Sequence, residues 1–130
     1  MKLIDTSSWV EQLRREGDLS VRGRVEALLS AGEAAWCPVV RLELWNGARG
    51  DREAAVLVEM EREIASLAIG SEVWDDAVTL ARSARRQGIT VPITDLLVAA
   101  CARFHGVSLE HNDSHFSLID ALPKGGPPLT

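Results

Sequence analysis

Short apolar segments alternate with longer amphipathic segments along most of the chain. Apolar runs of a few residues are typical of short buried strands, which are predicted at 3–4, 34–37, 67–69 and 107–110. Apolar residues at helical spacing predict helices at 8–16, 19–30, 39–48, 52–64, 72–87, 95–104 and 116–121. Because strands that alternate with helices favour a parallel sheet covered on both faces, we expect an α/β fold that is rich in helix.

Polar residues at the predicted helix starts indicate how the helices are capped. Ser8 and Glu11 have the spacing of a capping box, so the first helix is expected to begin at Ser8 and to end before Gly17. Thr94 is the expected cap of the sixth helix. If Ser8 caps the first helix, Asp5 is free for another role.

The chain length and its last residues define the domain organisation. A chain of 130 residues predicts one domain. Residues 123–130 are rich in proline and glycine and are expected to be irregular, either as a mobile tail or as a segment ordered by a partner. We therefore expect a domain at 1–122 and a tail at 123–130.

Four acidic residues lie where a strand ends or a helix begins, or on an otherwise apolar helix face. Asp5 follows the first strand, Asp113 follows the last, Asp95 opens the sixth helix and Glu43 lies within the third. Ligand sites in open α/β sheets lie beyond the carboxyl ends of the strands. Each acid also has a structural explanation: a helix cap, a turn, a helix-dipole contact or, for Glu43, an ion pair with Arg41 or an arginine elsewhere.

Several carboxylates at one sheet edge point to a cation. Like charges raise each other's pKa unless a cation is present, and oxygen ligands select Mg²⁺ or Mn²⁺. Such a cation suits hydrolysis of a phosphodiester. Phosphoacceptor receivers and haloacid-type phosphatases also use strand-end aspartates, but they need a strand-end lysine, and neither Lys2 nor Lys124 is placed for that role.

Charge, cysteine content and hydropathy narrow the choice of function only slightly. The net charge of −5 argues against a nucleic-acid binder unless bound metal neutralises part of it. Cys37 and Cys101 are expected to be buried free thiols. The sequence shows no apolar run long enough to span a bilayer and no signal peptide, so a cytoplasmic protein is expected.

Four short motifs, in order, carry a family resemblance. They are D-T-S at 5–7, R-L-E-L at 41–44, I-T-D-L-L-V-A-A at 93–100 and H-N-D-S-H-F at 111–116. This series resembles the PIN-domain nucleases and, within them, the VapC toxins of bacterial type II toxin–antitoxin pairs. The resemblance covers nearly the whole chain.

The resemblance implies a fold, an activity and a site. It implies a three-layer α/β/α PIN-like domain with a four- or five-stranded parallel sheet. The expected activity is that of a Mg²⁺-dependent endoribonuclease, with Mn²⁺ as an alternative, acting on tRNA or rRNA and silenced by a cognate antitoxin. A homodimer is also implied. By motif position, Asp5, Glu43, Asp95 and Asp113 are the catalytic and metal-binding acids, and Ser7 supports the first of them.

A metal-activated water is expected to attack phosphorus in line, leaving 5′-phosphate and 3′-hydroxyl ends. Arg14, Arg15, Arg85 and Arg86 are candidates for phosphate contacts, although charges near a helix end also have a structural role. Two alternatives stay open: a free-standing or catalytically weak PIN-like nucleic-acid-binding protein, and a nuclease that acts on DNA.

One position departs from the motif of the family. Many relatives have an acid where this chain has His115, two residues after the fourth carboxylate. His111 and His115 together raise zinc as an option. We expect both histidines to face solvent or to support the ligands from behind.

Overall fold

The computed structural model describes residues 1–123, in which short parallel strands alternate with helices. The strands are β1 Lys2–Ile4, β2 Ala34–Trp36, β3 Ala65–Ser66 and β4 Ser108–Glu110. The helices are α1 Thr6–Leu13, α2 Leu19–Ser30, α3 Pro38–Gly47, α4 Gly50–Glu63, α5 Ser71–Arg86, α6 Ile93–His105 and α7 His115–Asp120. The predicted α/β order is confirmed.

β1 lies in the middle of a four-stranded parallel sheet with the order β3-β2-β1-β4. Leu3 is in register with Ala35 on one side and with Leu109 on the other. Because neighbouring strands run parallel, the residues that follow β1 and β4 emerge at the same edge. The segments that follow β1 and β4 therefore lie next to each other at the carboxyl edge of the sheet.

Helices cover both faces of the sheet. Successive strand residues point to opposite faces, and both Leu3 and Ile4 are completely buried. The three residues of β2 are buried as well. Among the helices, α1 packs against α2 and α5 against α6. This is the three-layer α/β/α arrangement, which the sequence predicted.

The cap of α1 differs from the prediction. The helix begins at Thr6, and Asp5 is the N-cap, whose carboxylate accepts a hydrogen bond from the backbone N–H of Ser7. Ser8 lies inside the helix, and its buried hydroxyl donates to Glu110. The strand passes into the helix without a loop, so the last extended residue is Asp5 and only this side chain can reach the free amides.

The corner between α1 and α2 also differs from the prediction. The helix ends at Leu13, and Glu11 does not close a capping box, because its carboxylate accepts from the Asp18 N–H and from Arg14. Gly17 is buried against this turn, where an added Cβ would lie 1.8 Å from the carbonyl oxygen of Glu11. Gly17 is thus required for a close backbone approach and does not terminate the helix.

Other element boundaries shift by a few residues. The sixth helix begins at Ile93 with Pro92 as its N-cap, so Thr94 does not cap it. Because the backbone N–H groups of Asp95 and Leu96 donate to the carbonyl of Pro92, the helix starts two residues earlier than predicted and Asp95 falls within its first turn. The third strand is Ala65–Ser66, upstream of the predicted 67–69.

Three further expectations concern the cysteines, membrane-spanning segments and the C-terminal tail. Cys37 and Cys101 are buried and free, as predicted. Within residues 1–123, no helix is long and apolar enough to cross a membrane. The predicted tail at 123–130 falls almost entirely outside the described residues, so the division at residue 122 stays a prediction.

Candidate metal centre

The carboxyl edge of the sheet gathers the predicted acidic residues from four elements. Asp5 follows β1, and Asp113 lies in the loop between β4 and α7. Asp95 comes from the first turn of α6, and Glu43 comes from the middle of α3. The parallel strands and the two helices therefore bring together side chains that are up to about a hundred residues apart in sequence.

Asp5 is held in a fixed orientation by Ser7. Oδ2 of Asp5 accepts hydrogen bonds from the backbone N–H of Ser7 at 3.0 Å and from its hydroxyl at 2.7 Å. The same hydroxyl oxygen accepts from the backbone N–H of Asn112 at 2.9 Å. Ser7 thus links the turn after β1 to the loop after β4. Asp5 is buried, with only 4% of the residue exposed.

Asp95, Asp113 and His115 form a compact cluster at this edge. Nδ1 of His115 lies 3.1 Å from Oδ2 of Asp95 and 3.0 Å from Oδ1 of Asp113. One donor atom from each of the three residues lies within 4.8 Å of the others, a spacing that could hold a metal ion.

Burial, together with the negative charges of Asp5 and Asp113, raises the pKa of Asp95 from 3.8 to about 6. The hydrogen bond with His115 opposes this increase. Asp5 and Asp113 are therefore each close enough to Asp95 to disfavour its negative charge. A bound cation would relieve that repulsion.

The donor set fits a small divalent cation. Carboxylate oxygens are the ligands that Mg²⁺ and Mn²⁺ prefer, and the imidazole nitrogen of His115 adds a donor that Mn²⁺ accepts. The side chains of Asp95 and Asp113 are only 13% and 28% exposed. Clustered carboxylates that are partly buried destabilise the folded protein unless a positive charge lies between them, so this cluster is suited to bind a cation.

Glu43 lies beside the Asp5 end of the cluster. Its Oε1 accepts a hydrogen bond from the hydroxyl of Thr6 at 2.9 Å. Burial of the carboxyl group raises the pKa of Glu43, and the charge of Asp5 adds to this effect, while the bond from Thr6 lowers it. The alternative of an ion pair with Arg41 or another arginine is wrong: among residues 1–123, no ion pair involves Glu43, and Arg41 pairs with Glu61 on α4.

One buried carboxylate near the site escaped the sequence analysis. Glu110 ends β4, is 5% exposed, and accepts from the hydroxyl of Ser8 at 2.8 Å and from Nε of Arg24 at 2.7 Å. Its backbone carbonyl also accepts from the N–H of Asp5 at 2.9 Å. Glu110 therefore links β4, α1 and α2 directly behind Asp5. A signal was available in its place as the acidic last residue of a predicted strand.

The two histidines of the last motif differ in their surroundings. His115 contacts both Asp95 and Asp113, and its ring is therefore not simply facing solvent. His111 packs its ring against Phe116, with ring centroids 5.0 Å apart, and its Nδ1 lies 3.4 Å from the backbone N–H of Asp113. Within residues 1–123, the three-residue cluster that could hold a metal contains His115 and not His111.

The candidate arginines lie on the surface. Arg15, Arg85 and Arg86 are exposed, and Arg14 is exposed while paired with Glu11 at 2.9 Å. Their phosphate contacts stay a prediction.

Comparison with known proteins defines the class to which this fold and this site belong. Residues 2–122 match the PIN domain family, and the chain belongs to that family. Within the family it groups with the VapC ribonucleases. Ribonuclease VapC11 of Mycobacterium tuberculosis is 37% identical over 123 residues, which cover 92% of this chain and 91% of the relative. VapC18 of the same species is 30% identical over 123 residues, covering 92% of this chain and 87% of the relative.

Solved structures share the fold at lower sequence identity. VapBC2 from Rickettsia felis, bound to a promoter DNA fragment, matches with a TM-score of 0.74 at 16% identity, covering 94% of this chain and 92% of the other. VapC20 of Mycobacterium tuberculosis, described as a toxin that cleaves the sarcin–ricin loop, matches with a TM-score of 0.69 at 19% identity, covering 98% and 100%. These similarities confirm the predicted PIN-like fold.

Proposed function

We propose that this VapC-type ribonuclease is a divalent-metal-dependent endoribonuclease toxin that hydrolyses RNA phosphodiester bonds and is held inactive by a cognate antitoxin. The observation that carries the proposal is the cluster of Asp95, Asp113 and His115, whose donor atoms lie within 4.8 Å of one another, with Asp5 close enough to raise the pKa of Asp95. Family membership supports the endoribonuclease activity. The metal requirement and the inhibition by an antitoxin are the parts that need a test.

The ligands of Mg²⁺ or Mn²⁺ in this proposal are Asp5, Asp95 and Asp113, and Glu43 extends the acidic surface on the Asp5 side. When bound, a divalent cation supplies Lewis acidity, which makes water a better nucleophile near neutral pH and neutralises charge that develops on a phosphodiester. Ser7 fixes the carboxylate of Asp5 through two hydrogen bonds. The hydrogen bond that the backbone N–H of Asn112 donates to the Ser7 hydroxyl holds the loop after β4, which carries Asp113, against the turn after Asp5.

The substrate class follows from the family and from the chemistry of the site. Because the proposed reaction does not need the 2′-hydroxyl, the products should carry 5′-phosphate and 3′-hydroxyl ends. The VapC20 structure is described as that of a toxin that cleaves the sarcin–ricin loop, which supports a structured rRNA or tRNA as the substrate here. Arg14, Arg15, Arg85 and Arg86 are proposed to contact phosphates.

An apolar groove beside Glu43 supports an antitoxin partner. The groove lies between α1, α3 and α4, and its apolar lining includes Val10, Leu13, Leu44, Val56 and Leu57. Three of these side chains, Val10, Leu13 and Val56, are more than a third exposed. Similar folds have been solved as VapBC assemblies. An apolar segment of the antitoxin seated in this groove would lie directly next to the acidic site, and a homodimer of the toxin is part of the same proposal.

The metal requirement is tested by RNA cleavage. Wild type, Asp5→Asn and Asp95→Asn are assayed with Mg²⁺, with Mn²⁺ and with EDTA, alongside Asp76→Asn, which changes an exposed acid on α5. We expect cleavage by wild type and Asp76→Asn only when metal is present, and a loss of at least about a hundredfold in the two site variants. Cleavage that survives both chelation and the two site substitutions would rule out the proposed mechanism. RNA binding without cleavage by the wild type would favour the non-catalytic alternative.

A further inference from the structure

His115 stands where many relatives have an acid, and its ring lies against the acidic cluster. Nδ1 of its ring faces two carboxylates at once, 3.1 Å from Asp95 and 3.0 Å from Asp113. The ring is 39% exposed, whereas the side chains of Asp95 and Asp113 are 13% and 28% exposed. His115 therefore lies on the solvent side of the two carboxylates, and it is the ring nitrogen Nδ1 that lies between them.

The backbone around His115 holds the ring in this place. The backbone N–H of His115 donates to Oδ1 of Asp113 at 2.9 Å, so the residue is tied to the same carboxylate that its ring contacts. The next residue, Phe116, is buried and anchors the start of α7 in the core. These contacts fix the backbone from which the ring reaches Asp95 and Asp113.

We propose that Nδ1 of His115 is a direct ligand of the cation held by Asp95 and Asp113, and that this mixed imidazole–carboxylate site prefers a first-row transition-metal ion such as Mn²⁺ to Mg²⁺. The inference rests on the proposed function, because it assigns the metal class of the same site. It adds a ligand of different chemistry to the four predicted acids and thereby changes which cation the site selects.

The distances agree with ligation. Neighbouring ligands in an octahedral shell with metal–ligand bonds of about 2.1 Å lie about 3 Å apart, and the nitrogen of His115 lies at such a separation from one oxygen of each carboxylate. As a ligand, Nδ1 offers its lone pair while Nε2 carries the proton. The same three atoms can thus serve as a hydrogen-bonded cluster without metal and as a coordination shell with it.

The metal preference follows from the donor atoms. Mg²⁺ takes oxygen ligands and gives up its water reluctantly, whereas imidazole nitrogen suits transition-metal ions. Replacing an oxygen donor by nitrogen therefore weakens the site for Mg²⁺ relative to Mn²⁺. An acid at position 115 would have the opposite effect, which provides a matched variant of the chain.

The test uses metal-stripped, full-length protein and Mn²⁺ as the probe. Mn²⁺ binding is measured by the loss of the free-ion EPR signal, and pulsed EPR reports whether a nitrogen is bonded to the ion through its ¹⁴N coupling. The variants are His115→Gln, His115→Asp and the control His111→Gln. The chain has 3 histidines, and the third, His105, is bonded to the carbonyl of Ala68 on another part of the fold.

We expect a ¹⁴N coupling in wild type and in His111→Gln, and none in either His115 variant. His115→Gln should weaken Mn²⁺ binding by about tenfold or more, since even the loss of an indirect partner of a metal ligand costs that much. His115→Asp should bind Mn²⁺ without the ¹⁴N coupling, and its ratio of Mg²⁺ to Mn²⁺ affinity should rise above that of wild type.

The outcomes separate this inference from the proposed function. Tight Mn²⁺ binding that depends on Asp95 but shows no ¹⁴N coupling in wild type would overturn the role of His115 and leave the metal-dependent nuclease intact. A ¹⁴N coupling that persists in His115→Gln would also overturn it. Absence of any Mn²⁺ or Mg²⁺ binding, together with RNA cleavage in EDTA, would instead reject the proposed function.

Discussion

Asp95 is placed where its charge is unfavourable as long as no cation is bound. Its pKa is raised from 3.8 to about 6 by burial and by the charges of Asp5 and Asp113. At neutral pH the carboxyl group is ionised, and burial and the neighbouring negative charges then destabilise the folded protein. If Asp95 binds a divalent cation as proposed, the cation would relieve this unfavourable charge.

The sign of the pH dependence follows from the raised pKa. Between pH 3.8 and about 6 the folded protein binds a proton on Asp95 that the unfolded chain releases, so this carboxyl group lowers the free energy of unfolding as the pH rises through that window. Two pKa units correspond to up to about 3 kcal/mol. We expect Asp95→Asn in EDTA to be more stable than wild type at pH 7.5, and the difference to shrink towards pH 4.

Urea unfolding of both proteins in EDTA at pH 4, 5, 6 and 7.5 measures this difference. Asp76→Asn is the control, since its carboxylate is exposed, and it should show no such trend. An Asp95→Asn variant that is less stable than wild type at pH 7.5 would contradict this prediction. It would mean that neighbouring groups stabilise the ionised carboxylate of Asp95 even without metal.

The corner between α1 and α2 depends on one glycine. An added Cβ at Gly17 would meet the backbone carbonyl of Glu11 at 1.8 Å, whereas Gly23, inside α2, has nothing within 4 Å of such a Cβ. We expect Gly17→Ala to destabilise the protein by about 1–3 kcal/mol because the backbone must shift. Gly23→Ala should stabilise it by about 0.5–1 kcal/mol because alanine favours a helix.

Thermal and urea unfolding of the two alanine variants give this comparison directly. Equal effects of the two substitutions would show that the turn relaxes without cost. Because Asp18, the N-cap of α2, and Glu11 meet at this corner, a shift there should also loosen the start of α2.

The groove formed by α1, α3 and α4 leads to a prediction about the antitoxin. Val56 and Val58 lie on the same helix and are 43% and 41% exposed, but only Val56 lines the groove. We expect Val56→Arg to weaken antitoxin binding by at least about tenfold, because a charged side chain would fill an apolar contact, and Val58→Arg to leave it within about twofold.

Calorimetric titration with the purified cognate antitoxin measures both affinities, and RNA cleavage by the free variants serves as a check that each is folded. Equal losses in the two variants would place the antitoxin on another surface. Retained inhibition of Val56→Arg would do the same.

The whole domain should be stabilised when metal binds, since the cation interacts with a site that only the folded chain assembles. At a free Mn²⁺ concentration one hundred times the dissociation constant, linkage predicts a gain of about 2.7 kcal/mol, or roughly 10 °C in the melting temperature. Asp95→Asn should lose most of this increase. The measurement is a thermal melt of both proteins with EDTA and with Mn²⁺, and an equal increase in both would place the stabilising ion elsewhere.

Much of the fold was accessible from the pattern of residues. The alternation of apolar runs with amphipathic stretches predicts the order of strands and helices, because burial on two faces or on one stripe leaves a local periodic signal. The same pattern puts Asp5 and Asp113 after strands, and parallel strands end at one edge. Local boundaries were less accessible: Asp5, not Ser8, caps α1, since the cap depends on where the strand stops.

The sequence alone was sufficient to identify the parallel α/β domain, its PIN-type motifs and the acids expected at the sheet edge, because these leave signals in spacing and residue type. The contacts of Glu110 with Ser8 and Arg24, and those of His115 with Asp95 and Asp113, depend on pairings between distant parts of the chain. Side-chain direction and burial at such pairings are set by packing, and no local pattern encodes them. For that reason the tertiary structure was needed to bring Asp95 and Asp113 together with the imidazole of His115.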